Sequence, residues 1–334
     1  MPSGPRDGFM IKDKIPSKIL VITLSNLGDV IMTTPVVMRL KQEFPNAEIT
    51  VVVGPKAQGL LRQSQNIKEV VVYDKRGKLE SKKEFIRLLR KQVWDWVVDL
   101  RHTAIPVLVK CEKRTPLLRR HRKKMKREAH LEALEWMGLK TQPTAPFDFF
   151  QKSDDDKMLA KLKALGVAQN KGWIVIAPGA ASERKRWPSK QFRQLAEKLA
   201  ALTGKMILLA GSPEEKPIAQ KVAQGLEASA VIVAGETNLA ESAAMLSRAS
   251  LVIANDSAMM HLGFELQVPT VGIFGPTEHK LYGHVGAQFR IAASDSKLCS
   301  CNDHIKPKAE RSCFHGLNSD RVFKLCEELL AGQA

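Results

Sequence analysis

The residues best placed for chemistry sit in two short turns far apart in the chain, Ser25-Asn26-Leu27-Gly28-Asp29 and Asn255-Asp256-Ser257-Ala258. Each follows an apolar run, Ile19-Leu20-Val21-Ile22 in the first case and Leu251-Val252-Ile253-Ala254 in the second, and each opens a helical pattern. In an open parallel sheet, ligands bind outside the carboxyl ends of the strands, and the amides that open the next helix attract anions. One such turn in each half predicts two nucleotide-fold domains facing a shared cleft. Asp29 and Asp256 also have a simpler explanation, because an aspartate at a helix start caps it and contributes about 1 kcal/mol.

Two more segments add polar groups at strand ends. Lys185, flanked by Arg184 and Arg186, lies between an apolar strand and the helix beginning near Ser189. It is either a loop charge or a cation for an anionic ligand. Glu215 follows Gly211 on the turn after Leu208-Leu209-Ala210. An acidic residue after such a turn suits ribose hydroxyls, and equally suits the positive end of the following helix.

The elements needed to hold these turns alternate. Strand-like runs at Lys18 to Thr23, Glu48 to Val53, Glu69 to Tyr73 and Trp96 to Asp99 are separated in part by helical patterns at Asp29 to Glu43 and Lys82 to Gln92. After Asp154 the alternation restarts and continues to a strand at Thr270 to Phe274. Strands separated by helix-length segments predict parallel βαβ units, and 334 residues exceed what one core usually serves. The expected organisation is a flexible leader at 1–17, an N-terminal Rossmann-like domain at 18–150, and a C-terminal one at 151–315. A C-terminal helix at 316–334 completes it, free to pack back on the N-terminal domain. Polar, proline-bearing residues from Thr141 to Asp156 read as the linker.

Lys and Arg total 52 against 35 Asp and Glu, a formal charge of +17, which calls for an anionic partner. The excess crowds between Lys110 and Arg127, where Lys113, Arg114, Arg119, Arg120, Arg122, Lys123, Lys124 and Lys126 also lie. The segment reads as a solvated basic face or as a surface for an anionic membrane. Nucleic acid is a third partner class, but the segment lacks aromatic residues for stacking. No apolar stretch approaches the ~20 residues that span a bilayer. The polar N-terminus, with Pro2, Pro5 and Pro16, lacks the apolar segment of a secretory signal, which predicts a cytosolic protein.

Five motifs in order resemble glycosyltransferase family 9, the ADP-heptose:lipopolysaccharide heptosyltransferases. They are Leu27-Gly28-Asp29-Val30 with Thr34-Pro35; Pro178-Gly179-Ala180 followed by Lys185-Arg186-Trp187-Pro188; Gly211-Ser212-Pro213-Glu214-Glu215; Asn255-Asp256-Ser257-Ala258-Met259-Met260-His261; and Phe274-Gly275-Pro276-Thr277. The resemblance runs from Lys18 to about Leu330 and implies the GT-B architecture, an α/β fold of two Rossmann-like domains with parallel sheets facing a central cleft. It implies an inverting, metal-independent transfer of heptose from ADP-heptose to a lipopolysaccharide inner-core acceptor at the cytoplasmic face of the inner membrane. The nucleotide sugar is then a substrate, and no cofactor is expected.

The same resemblance makes Asp29 the catalytic base. It gives Ser182, Lys185, Asp256, Ser257, Ala258, Met259 and His261 to the donor's diphosphate and sugar, Glu215 to the ribose and Thr237 to the adenine pocket. Ala180 and Ala181 stand where members often carry hydroxyls, leaving backbone amides and Ser182 for phosphate contacts. Arg101 and His102, after the Asp99-Leu100 strand end, and Arg120 and Arg122 in the basic segment suit the carboxylates and phosphates of the acceptor. Another nucleotide-sugar donor, a protein acceptor, or a basic nucleic-acid-binding protein are the alternatives. Cys299, Cys301, Cys313 and Cys326, with His304 and His315 among them, lack the usual C-x₂₋₄-C hairpin of zinc sites, so no metal is expected.

Overall fold

The computed structural model describes residues 14–23, 26–117, 122–123, 125–168, 172–294 and 313–332. The first lobe runs β1 (Lys18–Ile22), α1 (Leu27–Ile31), α2 (Thr34–Glu43), β2 (Glu48–Val53), α3 (Gln58–Leu61), β3 (Glu69–Val72), α4 (Leu79–Leu89), β4 (Trp94–Asp99), α5 (Ile105–Leu108), β5 (Cys111–Arg114) and α6 (Lys126–Glu135). The second runs α7 (Lys152–Ala164), β6 (Trp173–Ala177), α8 (Ser189–Thr203), β7 (Met206–Leu209), α9 (Lys216–Ala223), β8 (Ala230–Ile232) and α10 (Leu239–Ser247). It continues with β9 (Leu251–Asn255), α11 (Ala258–Glu265), β10 (Thr270–Phe274), α12 (His279–Tyr282), β11 (Phe289–Ala293) and α13 (Ser319–Ala331).

Every strand pairing is parallel. The first sheet has the order β3-β2-β1-β4-β5 and the second β11-β10-β9-β6-β7-β8. In each, the winding reverses once, between β1 and β4 and between β6 and β9. At such a reversal the two loops leave the sheet in opposite directions and open a crevice at the carboxyl ends of the strands. Continuous apolar strands suit sheets covered on both faces: Ile19 to Ile22, Ile49 to Val53 and Ile174 to Ala177 are all buried.

The helix expected from Asp29 to Glu43 is two helices, broken at Met32-Thr33. Pro35 is the cause: it has no amide hydrogen, and its ring would collide with the carbonyl four residues back. The carbonyls freed at the break are taken by side chains, Thr33 Oγ1 donating to the Val30 oxygen at 2.6 Å and Thr34 Oγ1 to that of Ile31 at 2.8 Å. The consequence is that α1 is a single short turn whose direction is set independently of α2.

Residues 141–151 are not a loose tether. Asp148 accepts hydrogen bonds from the Gln65 amide at 2.7 Å and from Asn66 Nδ2 at 2.9 Å, while Phe147 and Phe149 are buried edge to face. From Lys152 the chain joins the second lobe, where Asp155 on α7 pairs with Arg248, both oxygens engaged at 2.6 and 2.7 Å, and Lys161 pairs with Glu241 at 2.7 Å. The C-terminal helix does not return to the first lobe. On α13, Val322, Cys326 and Leu329 enter the core of the second domain beside Trp187, Phe192 and Leu195, because its apolar stripe matches the exposed flank of α8.

Several contacts between the lobes bear on the cleft, among them α3 on α10 and the two that follow. Short α1 packs on α11, and Arg127 of α6 reaches Glu265 at the end of α11 through two bonds, Nε to Oε1 at 2.6 Å and a second nitrogen to Oε2 at 3.2 Å. Burial pushes the Glu265 carboxyl above its ordinary range, and the Arg127 guanidinium partly offsets this. Glu265→Ala is expected to cost about 2–4 kcal/mol of unfolding free energy in a urea titration, below the full cost of a stranded buried charge because Arg127 keeps 23% side-chain exposure. The double replacement Arg127→Met with Glu265→Met should recover most of the loss; a single variant no worse than the double would show that the pair does not hold the lobes.

Candidate active site

The four segments singled out by sequence leave the sheets at the two crevices. Asp29 follows β1 and Arg101 follows β4; Lys185 follows β6 and Asp256 follows β9. Gly211 to Glu215 follow β7, next to β6.

Asn255 organises the second lobe's half. It is fully buried, its Nδ2 donates to the Pro178 oxygen at 2.8 Å, and its Oδ1 accepts from the Trp187 amide at 3.1 Å. Both ends of the loop after β6 are thereby tied to the end of β9. That brings Lys185 onto Asp256, Nζ to Oδ2 at 2.7 Å. Asp256 is therefore not a helix cap; Ser257 holds that position, makes no capping bond, and its Oγ is buried without a hydrogen-bond partner. The first amides of α11 have no partner within the helix, an arrangement that suits an anion.

His261, one turn into α11, joins the two lobes. Its Nε2 lies 3.9 Å from Asp256 Oδ1, and its ring faces α1 so closely that a Cβ at Gly28 would stand 2.9 Å from His261 Cδ2. Gly28 is thus required by approach rather than by backbone conformation. Burial holds the His261 imidazole below its ordinary pKa; the carboxylates of Asp256 and Asp29 oppose this, and Lys185 reinforces it. His261 is neutral at physiological pH and forms part of the wall between Asp29 and Asp256.

Asp29 sits in the third position of α1, whose cap residue is Asn26, and among the described residues only a long 3.5 Å contact from Asn26 Nδ2 reaches its carboxylate. The capping explanation does not apply. The carboxylate is left partly exposed across the cleft from Lys185, Asp256 and the α11 amides.

Beside this cluster lies a cavity of about 540 Å³. Glu215, Thr237, Ala258 and Met259, four of the residues that the sequence reading gave to the donor, line it. Glu215 Oε2 accepts from the Ser212 amide at 2.9 Å, and its carboxylate lies against the backbone of Gly179, where a Cβ would fall 2.1 Å from Cδ. Thr237 Oγ1 shares a hydrogen bond with Ser242 Oγ at 2.8 Å. Ser182 is exposed and opens the turn that carries Lys185. Sequence reasoning missed Ser212, Asn238 and Ser242 on this wall, and Leu27, Gly59 and Gln63 on the first-lobe side. The Asn238-to-Glu241 capping box marks one of these positions, but nothing in the local pattern marks Gln63.

The proposed acceptor residues are more scattered. Arg101 is exposed at the rim of a separate hollow of about 410 Å³. His102 adopts a left-handed φ of 53°, a strained value for a residue with a side chain, and its Nδ1 lies 3.4 Å from the Leu117 oxygen. Arg122 pairs with Glu132 and Glu135 at 2.9 and 2.7 Å while its side chain stays 76% exposed. Arg120 lies outside the described residues, as do Cys299, Cys301 and His304. Cys313 and Cys326 are buried thiols, and burial pushes that of Cys326 up.

A model of glycosyltransferase family 9 (heptosyltransferase) matches residues 107–314, more than half of the chain. The chain belongs to glycosyltransferase family 9. It is similar to lipopolysaccharide heptosyltransferase 3 of Escherichia coli strain K12, 26% identical over 279 residues that cover 75% of this chain and 80% of that protein. The crystal structure of a glycosyl transferase family 9 protein from Veillonella parvula superposes with a TM-score of 0.82 at 25% identity, covering 95% of this chain and 98% of the other. E. coli heptosyltransferase WaaC with ADP shares the fold at a TM-score of 0.72 and 19% identity, covering 93% and 99%. The architecture is therefore GT-B, and the protein is a glycosyltransferase.

Proposed function

We propose that this glycosyltransferase moves heptose from ADP-heptose to a lipopolysaccharide inner-core acceptor, with inversion and without a metal. The observation that carries this is the meeting, across one cleft, of a partly exposed carboxylate on the first lobe with a lysine, a helix start and a nucleoside-sized cavity on the second. Asp29 takes the proton of the acceptor hydroxyl as it attacks the sugar. Lys185, the α11 amides and Ser257 stabilise the charge growing on the departing diphosphate, and Glu215 holds the ribose. One base acting in a single displacement inverts the anomeric centre. The names of the curated relatives support the sugar and the acceptor class, and the fold neighbour crystallised with ADP supports the nucleotide.

Arg101, His102, Arg120 and Arg122 are proposed to meet the acceptor. The proposed location is the cytoplasmic face of the inner membrane; among the described residues no helix is long and apolar enough to cross a membrane. Among the described residues of the basic 110–127 segment, Arg114, Arg122 and Arg127 have protein partners, and Lys110, Lys123 and Lys126 are exposed.

Donor choice is tested by thermal unfolding. ADP at roughly a hundred times its Kd should stabilise the protein by about 2.7 kcal/mol, a shift of several degrees, whereas UDP and GDP should not. Equal shifts with all three would favour another donor, and mass spectrometry of products from truncated core acceptors would then identify it.

A further inference from the structure

We propose that the groove between α4 and α5 is a docking surface for an anionic bilayer. Leu79, Lys82, Lys83, Ile86, Arg87 and Arg90 recur at spacings of three and four residues and so share one face of α4. Glu80 and Glu84 border the stripe on one side, three residues before Lys83 and Arg87 respectively, and neither lines the groove. Two adjoining hollows of about 410 and 470 Å³ run along this stripe and share Lys82, Ile86 and Leu108 in their walls. Lys75 and Arg101 extend the basic rim, and among the described residues no acidic side chain lines either hollow. Among the described residues, no carboxylate pairs with Lys75, Lys82, Lys83 or Arg87.

Apolar groups are interleaved with these charges: Leu79 is 61% exposed, Val107 52% and Leu108 40%. Cations beside exposed aliphatic side chains on one helical face match phosphate headgroups lying over acyl chains. A nucleic acid would want rings free for stacking, but Tyr73 and Phe85 are packed on each other at 4.5 Å. Among the described residues of the basic segment further along the chain, Arg114, Arg122 and Arg127 have protein partners; at the end of α4, Arg90 donates to the Leu108 oxygen, whereas Lys82, Lys83 and Arg87 pair with no described carboxylate. The groove ends at Arg101, on the carboxyl side of the sheet where Asp29 lies, so docking would bring the cleft to the level of a lipid-borne acceptor. Vesicle binding itself requires neither donor nor acceptor and is independent of the proposed transfer.

The test is co-sedimentation of the full chain with vesicles of phosphatidylcholine, with and without about one-third phosphatidylglycerol. The protein should pellet only with the anionic vesicles. Lys82→Ala/Lys83→Ala/Arg87→Ala should weaken binding about a hundred-fold, some five-fold for each cation, with an unchanged thermal midpoint and unchanged transfer to a lipid-free acceptor. Leu79→Ser/Leu108→Ser should bind at low salt but lose the fraction that survives about 0.5 M salt. Wild-type binding by the triple variant would overturn the proposal. So would abolition of binding by Lys110→Ala/Lys123→Ala/Lys126→Ala alone, or displacement of the protein from vesicles by an RNA oligonucleotide. Failure of transfer to the lipid-free acceptor in the wild type would count against the proposed activity and leave the docking surface standing.

Discussion

Asp29→Asn lowers the turnover number by about 10²- to 10⁴-fold while the thermal midpoint and the response to ADP stay close to wild type. The size follows from what a positioned base contributes, and the sparing of the fold follows from the site. Among the described residues the Asp29 carboxylate caps no helix and makes no ion pair, with a long contact from Asn26 to lose. Asparagine preserves shape and hydrogen bonding but cannot accept the hydroxyl proton. Because Asp29 also opposes the burial that keeps His261 neutral, its loss leaves His261 still more firmly neutral, so no new cation appears at the wall. Steady-state rates with a fixed acceptor, beside a melting curve, decide the matter. Wild-type turnover in Asp29→Ala would remove the base from the mechanism, whereas a collapsed melting point would make the residue structural.

Lys185→Ala should reduce turnover by about 10²- to 10³-fold, the range for removing one group aimed at charge developing in the transition state. It should weaken ADP binding as well, since the same cation meets the diphosphate before and after transfer. A second effect comes from Asp256. Its carboxylate is 5% exposed, and Lys185 is its close cationic partner at 2.7 Å, so removing the lysine strands a buried charge. Lys185→Ala should therefore lose more stability than Lys185→Ala/Asp256→Asn, although both lack activity. Lys185→Arg should recover only part of the rate, because a planar fork replaces a compact charge within a loop fixed at both ends by Asn255. Calorimetric titration with ADP and urea unfolding of the three variants separate the two effects. Undiminished ADP affinity in Lys185→Ala would place the diphosphate elsewhere.

Much of this site was legible because its groups sit at places where backbone physics leaves a signature. Apolar strands followed by glycine- or aspartate-bearing turns located Asp29, Lys185, Glu215 and Asp256, since parallel strands deliver their loops to one edge. The partners of those groups were not legible. Asp256 looked like a cap and proved to be the counter-ion of Lys185; Arg122 looked like a cation for the acceptor and also pairs with Glu132 and Glu135. Both outcomes depend on residues many positions away, and no local period records them. The break before Pro35 was readable in principle, because proline's missing amide is a property of the residue itself.

The amino-acid sequence by itself determined the parallel α/β class, the two lobes and the turns that face the cleft, because strand and helix periods and turn residues act over a few positions. Only the tertiary structure decided which of those turns meet. His261 against Gly28, Arg127 on Glu265, the first-lobe residues Gly59 and Gln63 in the wall of the second lobe's cavity, and α13 on its own domain all arise from how the lobes and sheets pack. Packing sums weak contacts over the whole chain, so its result is a property of the assembled surfaces and of no single stretch of residues.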